Sequence, residues 1–191
     1  MSEVQIIQKI LALRTNINSR KIRNGNLTEE EAGKIGEECA TLGDLKFNIL
    51  TKTSNIQQIE VQARRMKNRD KLDLLVIDYL QLVRNTGNSK SREQEVADIS
   101  RTLKMLSLEL EIPIIALCQL NRNASRQEPT LADIRESGAI EQDADNVIFL
   151  YQENPENPIV TVDLQKQRTG NIGRIKLKFH KTTSKFVNIV R

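Results

Sequence analysis

Tryptophan is absent from this chain of 191 residues, and four Phe and two Tyr are its only aromatics. A single-strand nucleic-acid reader built on stacked bases needs more rings, so any such binding here rests on backbone phosphates. Cysteine is scarce too: Cys39 and Cys118 lie far apart, with His180 the single histidine. That argues against a zinc site and a disulfide framework, and it suits a reducing cytosol. Long apolar runs are missing. The longest, Pro113 to Cys118, is about six residues, against roughly 20 for a bilayer span. No basic-then-apolar stretch opens the chain, so neither secretion nor a membrane partner is expected. Charge of one sign is not in great excess, 29 Lys+Arg against 25 Asp+Glu giving +4. This permits a polyanionic partner without requiring one. What is present is aliphatic side chains throughout, in a length that fits one ordinary domain of roughly 100–200 residues.

The first half reads as helices. Ser2 with Gln5 forms a capping box ahead of Ile6, Ile7, Ile10, Leu11 and Leu13 at helical spacing. Asn24-Gly25 is a turn, Thr28 with Glu31 caps a second helix ending at Gly43, and residues 46–51 look like a short strand. Ser54 with Gln57 opens a helix to about Asn68. The pattern then changes. Leu74-Leu75-Val76-Ile77 is a continuous apolar run, as in a strand buried on both faces of a parallel sheet. Val96, Ile99, Leu103, Leu106 and Leu110 mark one side of a long helix, and Pro113 opens a second buried strand over residues 114–118. Further strands are expected at residues 146–151 and 159–165, and an alternating hairpin at 173–181 and 185–190. Strand, helix, strand at these spacings predicts an α/β fold: a mostly parallel sheet flanked by helices, with a C-terminal β-hairpin.

Ligands of parallel sheets gather at the carboxyl ends of the strands, where Asp78 and Gln119 follow two of the apolar runs. An acid at such a tip is the Walker B pattern, which orients magnesium beside nucleotide phosphates; an aspartate there also simply opens a turn. A strand-end glutamine likewise serves a nucleotide or only a neighbouring loop. No Gly-x-x-x-x-Gly-Lys-Ser/Thr cradle is present, since Gly33-Lys34 lies within a helical stretch with Ile35 next. By its own residues the chain is an incomplete nucleotide site. After Asp163 it carries eight Lys/Arg and no acid. Arg174, Lys176 and Lys178 alternate with Ile175, Leu177 and Phe179, one hairpin face cationic and the other apolar. Lys166 and Arg168 share one side of a strand just before Gly170, an outward pair able to clamp a phosphoryl group on a neighbouring subunit. Such cations also merely meet solvent. His180 has no evident acid or nucleophile partner and is expected to be structural.

Four segments carry a resemblance. Leu74-Leu75-Val76-Ile77-Asp78-Tyr79-Leu80-Gln81-Leu82 and Ala116-Leu117-Cys118-Gln119-Leu120-Asn121-Arg122 come first. Asp133-Ile134-Arg135-Glu136-Ser137-Gly138-Ala139-Ile140-Glu141-Gln142-Asp143-Ala144-Asp145 and Lys166-Gln167-Arg168-Thr169-Gly170 follow in that order. Together they resemble the C-terminal RecA-like motor domain of the DnaB family of bacterial replicative helicases, over essentially the whole chain as a single partial domain. The resemblance implies a homo-hexamer that hydrolyses ATP with Mg2+ between subunits and moves along single-stranded DNA. It implies Asp78 holding Mg2+ through water and Gln119 sensing the γ-phosphate. Lys166 and Arg168 would act in trans as fingers, and Lys9 and Gln167 would lie near the nucleotide. Arg135, Glu136 and Gly138 would hold the DNA backbone, with the loop 84–92 as a second channel-facing element. Primase and a helicase loader are implied as partners of the full-length protein. The location implied is the cytoplasm, nucleoid-associated, or a plastid if organellar.

Departures from the family pattern matter as well. The family's phosphate loop and catalytic glutamate lie upstream, and Met1-Ser2 coincides with the end of the stretch bearing that glutamate. The P-loop strand and helix are therefore expected to be missing, and this polypeptide alone to hydrolyse ATP poorly or not at all. The loop 121–129 is short by comparison, and Arg168-Thr169-Gly170 stands where Arg-Asn-Gly is usual. Two readings stay open: a helicase motor segment, or a non-hydrolysing RecA-like remnant that binds single-stranded DNA or a helicase partner. A recombination- or clock-type RecA relative is disfavoured by the run from Asp133 to Asp145.

Overall fold

The computed structural model describes residues 1–51, 53–87, 91–120, 128–134 and 138–189. In chain order its elements are α1 (Glu3–Thr15), α2 (Ser19–Asn24), α3 (Glu29–Asp44), α4 (Ile56–Asp70), β1 (Leu75–Ile77), α5 (Arg92–Leu110), β2 (Ile114–Ala116), α6 (Gly138–Asp143), β3 (Asn146–Tyr151), β4 (Ile159–Gln167), β5 (Gly173–His180) and β6 (Lys185–Asn188). The chain divides into two compact units. One comprises Met1–Lys52, Asn154–Thr161 and Ile175–Arg191; the other comprises Thr53–Glu153 and Val162–Arg174.

In the unit that contains Met1, the helix starts follow local chemistry. Ser2 Oγ accepts from the Gln5 amide at 3.3 Å, while Gln5 Oε1 accepts from the Ser2 amide at 3.0 Å. Thr28 and Glu31 repeat this reciprocal arrangement at 3.2 and 3.0 Å, satisfying amides that the first helical turn leaves without partners. Helix α2 ends at Gly25, whose φ of 70° is strained for any residue with a Cβ. Leu11, Ala12, Ile17 and Val160 are buried. Strands β5 and β6 pair antiparallel, Leu177 opposite Asn188 through His180 opposite Lys185, and the rings of Phe179 and Phe186 lie 4.6 Å apart. The hairpin matches its expectation. The strand expected over residues 46–51 does not form, those described having no sheet pairing. A strand needs a neighbour for its backbone groups, and none lies alongside among the described residues.

The second unit is organised by α5. Its buried Val96, Ile99, Leu103, Leu106 and Leu110 keep the spacing of a helix face, each worth about 1.5–3 kcal/mol when removed from water. They meet Ile56, Ile77, Leu80, Val83, Ile134, Ile140, Val147 and Phe149 in one core, and Ala63 and Ile112 in a second cluster. Helix α5 is also the crossover that lets β1 and β2 run parallel, in register Leu75 to Ile114, Val76 to Ile115 and Ile77 to Ala116. Strand order in the other sheet is β3-β4-β5-β6.

Two expectations need correcting here. The cap of α4 is Asn55, not Ser54: the Asn55 side chain accepts from the Gln57 and Gln58 amides. And β1 and β2 are not buried on both faces, because Val76 and Ile115 are about half exposed, at 52% and 49%. One face of this pair lies against α5; the other carries no covering layer among the described residues. Ile148 and Leu150 of β3 are exposed in the same manner, while Val147 and Phe149, which alternate with them, are buried.

Candidate functional site

The register of β1 against β2 brings two strand tips together. Leu117 N donates to Ile77 O at 2.9 Å, and Leu80 N donates to Leu117 O at 2.8 Å. Asp78 therefore leaves β1 beside the segment that continues β2 toward Gln119. Both residues are exposed, and the side chains of both are without hydrogen-bond or ion-pair partners among the described residues. The strands expected ahead of these two residues are hydrogen-bonded parallel neighbours.

Sequence reasoning missed the residue that holds this juxtaposition. Gln81 sits in a 3-10 turn, Leu80–Leu82, directly after Asp78 and Tyr79. Its side-chain amide donates to Gln119 O at 3.2 Å and accepts from Gln119 N at 3.3 Å. The pair of bonds copies a strand ladder two residues beyond Leu117, where backbone pairing with this segment stops. The available signal was a lone polar residue between Leu80, which is fully buried, and Leu82.

Behind the turn, Arg92 at the start of α5 donates to Gln81 O at 2.9 Å and to Val83 O at 3.3 Å, and also pairs with Glu95. Glu95 accepts from the Asn85 amide at 2.8 Å. That amide, ahead of Arg92 and Arg84, holds the Glu95 carboxyl below its ordinary value against the opposing effect of desolvation. The loop is thus gathered onto the first turn of α5. Cys118 lies partly buried between the tips, and burial pushes its thiol up to about 11, so it stays protonated and unreactive.

Of the basic pair expected to point outward together, Arg168 is exposed and Lys166 only half so. Lys166 is half-buried, its Nζ donating to Glu141 O at 2.5 Å at the end of α6. Arg168 is 69% exposed, yet its Nη1 meets Asp145 Oδ1 at 2.8 Å, and its amide donates to Asp145 O at 2.9 Å. Asp145 also accepts from Lys104 Nζ at 2.5 Å. Lys104, and to a lesser degree Arg168, hold the Asp145 carboxyl below its ordinary range. Gln167 between the two cations is exposed.

Of the remaining expected residues, Lys9 is exposed on α1 in the other unit, and Gly138 is exposed at the start of α6. Arg135 and Glu136 lie outside the described residues, as do parts of the loops 84–92 and 121–129. His180 is exposed on β5. Among the described residues no group of three His, Cys, Asp or Glu side chains is placed to hold a metal. None of the described helices is long and apolar enough to cross a membrane.

Comparison with known proteins finds relatives over the whole chain. Residues 1–188 match the family described as DnaB-like helicase C terminal domain. The replicative DNA helicase DnaB of Geobacillus stearothermophilus is 42% identical over 202 residues, covering 100% of this chain and 44% of that protein. The replicative DNA helicase DnaC of Bacillus subtilis (strain 168) is 41% identical with the same coverage. The chain thus spans less than half the length of these relatives. Among solved structures, a DnaB-like replicative helicase described with its interactions with primase superposes with a TM-score of 0.90 at 32% identity, over 100% of this chain and 50% of that one. A second solved structure, described as an ATPase domain, gives the same score and identity over 72% of its length.

Proposed function

Because the chain belongs to the family of DnaB-like helicase C-terminal domains, we propose that it is the nucleotide-sensing and DNA-contacting segment of an ATP-driven replicative helicase. This motor works on single-stranded DNA within a ring of like subunits. The observation that carries the reading is the parallel hydrogen-bonded pairing of β1 with β2, the strands that lead to Asp78 and Gln119, both of which are exposed.

The donor set fits a magnesium nucleotide better than a resident metal. Mg2+ takes one or two carboxylates, with water and phosphate oxygens completing its octahedron, and a single exposed carboxylate at a strand tip suits that. When bound, the magnesium nucleotide supplies the phosphoanhydride and the charge that fingers and tips must face. Asp78 would hold the ion through water, and the Gln119 side-chain amide would hydrogen-bond the γ-phosphate. Lys166, Gln167 and Arg168 would face the nucleotide of the adjacent subunit, with Lys9 near its own. For this, Arg168 must leave Asp145 and Lys166 must leave the Glu141 carbonyl. Magnitudes favour the first exchange: an exposed ion pair contributes about 0–1 kcal/mol, and a bidentate guanidinium–phosphate contact exceeds it. Arg135, Glu136 and Gly138 would meet the DNA backbone, largely through phosphate contacts.

The Gly-x-x-x-x-Gly-Lys-Ser/Thr pattern does not occur in these 191 residues, so on this reading turnover draws the phosphate cradle from a longer protein of which the chain would be part. The same reading gives that longer protein primase and a loader as partners, and a place beside the nucleoid. The test is a chimaera in which this chain replaces the matching part of the Geobacillus stearothermophilus relative. DNA-stimulated ATPase that disappears in Lys166→Ala and in Arg168→Ala is expected; undiminished activity in both removes the finger assignment. A chimaera that binds single-stranded DNA but never hydrolyses ATP would instead favour the binding-only reading.

A further inference from the structure

Three polar residues form a continuous path between the Gln119 tip and the loop ahead of α5. The Gln81 side chain holds both backbone groups of Gln119. The Gln81 carbonyl is held by Arg92 Nη2 at 2.9 Å. Arg92 pairs with Glu95, and Glu95 holds the Asn85 amide at 2.8 Å and lies 3.6 Å from Arg84. The interior of this path is shielded, with the Arg92 and Glu95 side chains 26% and 14% exposed, while Arg84 at its far end is 63% exposed.

We propose that Gln81, Arg92 and Glu95 are positioning residues that couple the place of Gln119 to the conformation of the loop 84–87. The inference rests on the reading of Gln119 as the γ-phosphate sensor, and it names the physical connection that such a sensor needs. A shift of Gln119 toward a phosphate pulls on two hydrogen bonds of one amide. That amide belongs to a turn whose carbonyls at positions 81 and 83 are both gripped by one guanidinium. The guanidinium shares its carboxylate with the loop backbone, so the loop cannot stay put while the turn moves. Charge-assisted bonds make the inner links the stiffest of the series.

Two measurements test it. In the 191-residue chain, amide hydrogen exchange at Gln119 reads the tie directly. Gln81→Ala should accelerate it about tenfold, and Arg92→Ala, which touches no atom of Gln119, should accelerate it by a similar factor. Arg92→Lys, keeping charge without the fork, should fall between, and it guards against a collapse of α5 in the alanine variant. Unchanged Gln119 exchange in Arg92→Ala overturns the proposal. In the chimaera, the ratio of DNA-stimulated to basal ATPase should fall about fivefold in Gln81→Ala and in Arg92→Ala, with the double variant no lower than either. Additive losses, or an unchanged ratio, also overturn it. Should the unsubstituted chimaera hydrolyse no ATP, the reading of function fails, while the exchange experiment still decides the tie.

Discussion

At the tips of β1 and β2 the backbone is fixed and the side chains are free: Asp78 and Gln119 are exposed while Gln81 clamps the strand end behind them. At the end of β4 the side chains themselves are engaged, Lys166 with the Glu141 carbonyl and Arg168 with Asp145. On the proposed function, Asp78 and Gln119 meet a ligand of their own subunit and can wait unengaged beside the strand ends. On that same reading Lys166 and Arg168 lack their partner until subunits assemble, and intramolecular acceptors hold them here. The two clusters therefore differ in what must be broken before they work.

The largest effect expected from this contrast is catalytic. In the chimaera, Arg168→Ala should lower ATP turnover by about 10³-fold or more, the scale of a finger that neutralises transferring phosphate. Gln119→Ala should cost about 10²-fold in the same steady-state assay, the scale of one lost hydrogen-bond donor at developing charge. Equal losses in the two variants would erase the distinction between tip and finger.

Asp145→Asn tests the holding role more gently. It removes a shared acceptor from Lys104 and Arg168 at an exposed site, so thermal unfolding should report a loss of about 1 kcal/mol or less. ATPase in the chimaera should be retained, because the finger is released rather than lost. Acid should act in the same direction and more weakly. The Asp145 carboxyl sits below its ordinary 3.8, chiefly because of Lys104. A depressed folded-state value gives stability that is present above the unfolded value and lost as pH falls through the folded one. Nitrogen chemical shifts of the Arg168 guanidinium should accordingly move toward those of a free arginine only below about pH 3.8.

Much of this was legible in local sequence where local chemistry decides. The two capping boxes, the Gly25 turn, the buried stripe of α5 and the alternating hairpin all depend on residues within a few positions of each other. The run ending at Asp78 also marked its strand tip, whereas β2 stops at Ala116, short of the expected 114–118 and three residues before Gln119. What escaped reading was non-local. Residues 46–51 have strand-like composition, but a ladder is made by a neighbour. The burial of Val76 and Ile115 depended on a second covering layer. The role of Gln81 follows from a partner 38 positions away, and the hold on Arg168 from one 23 positions away. No periodicity encodes either.

The apolar side chains left exposed among the described residues, Val76, Ile115 and Leu117 on one sheet and its extension and Ile148 and Leu150 on β3, have a consequence at the bench. Handled as an isolated polypeptide, the chain presents greasy strands to every other copy in the tube. Its solutions should scatter more light as concentration rises, and sulfate should aggravate that clouding while a mild detergent clears it.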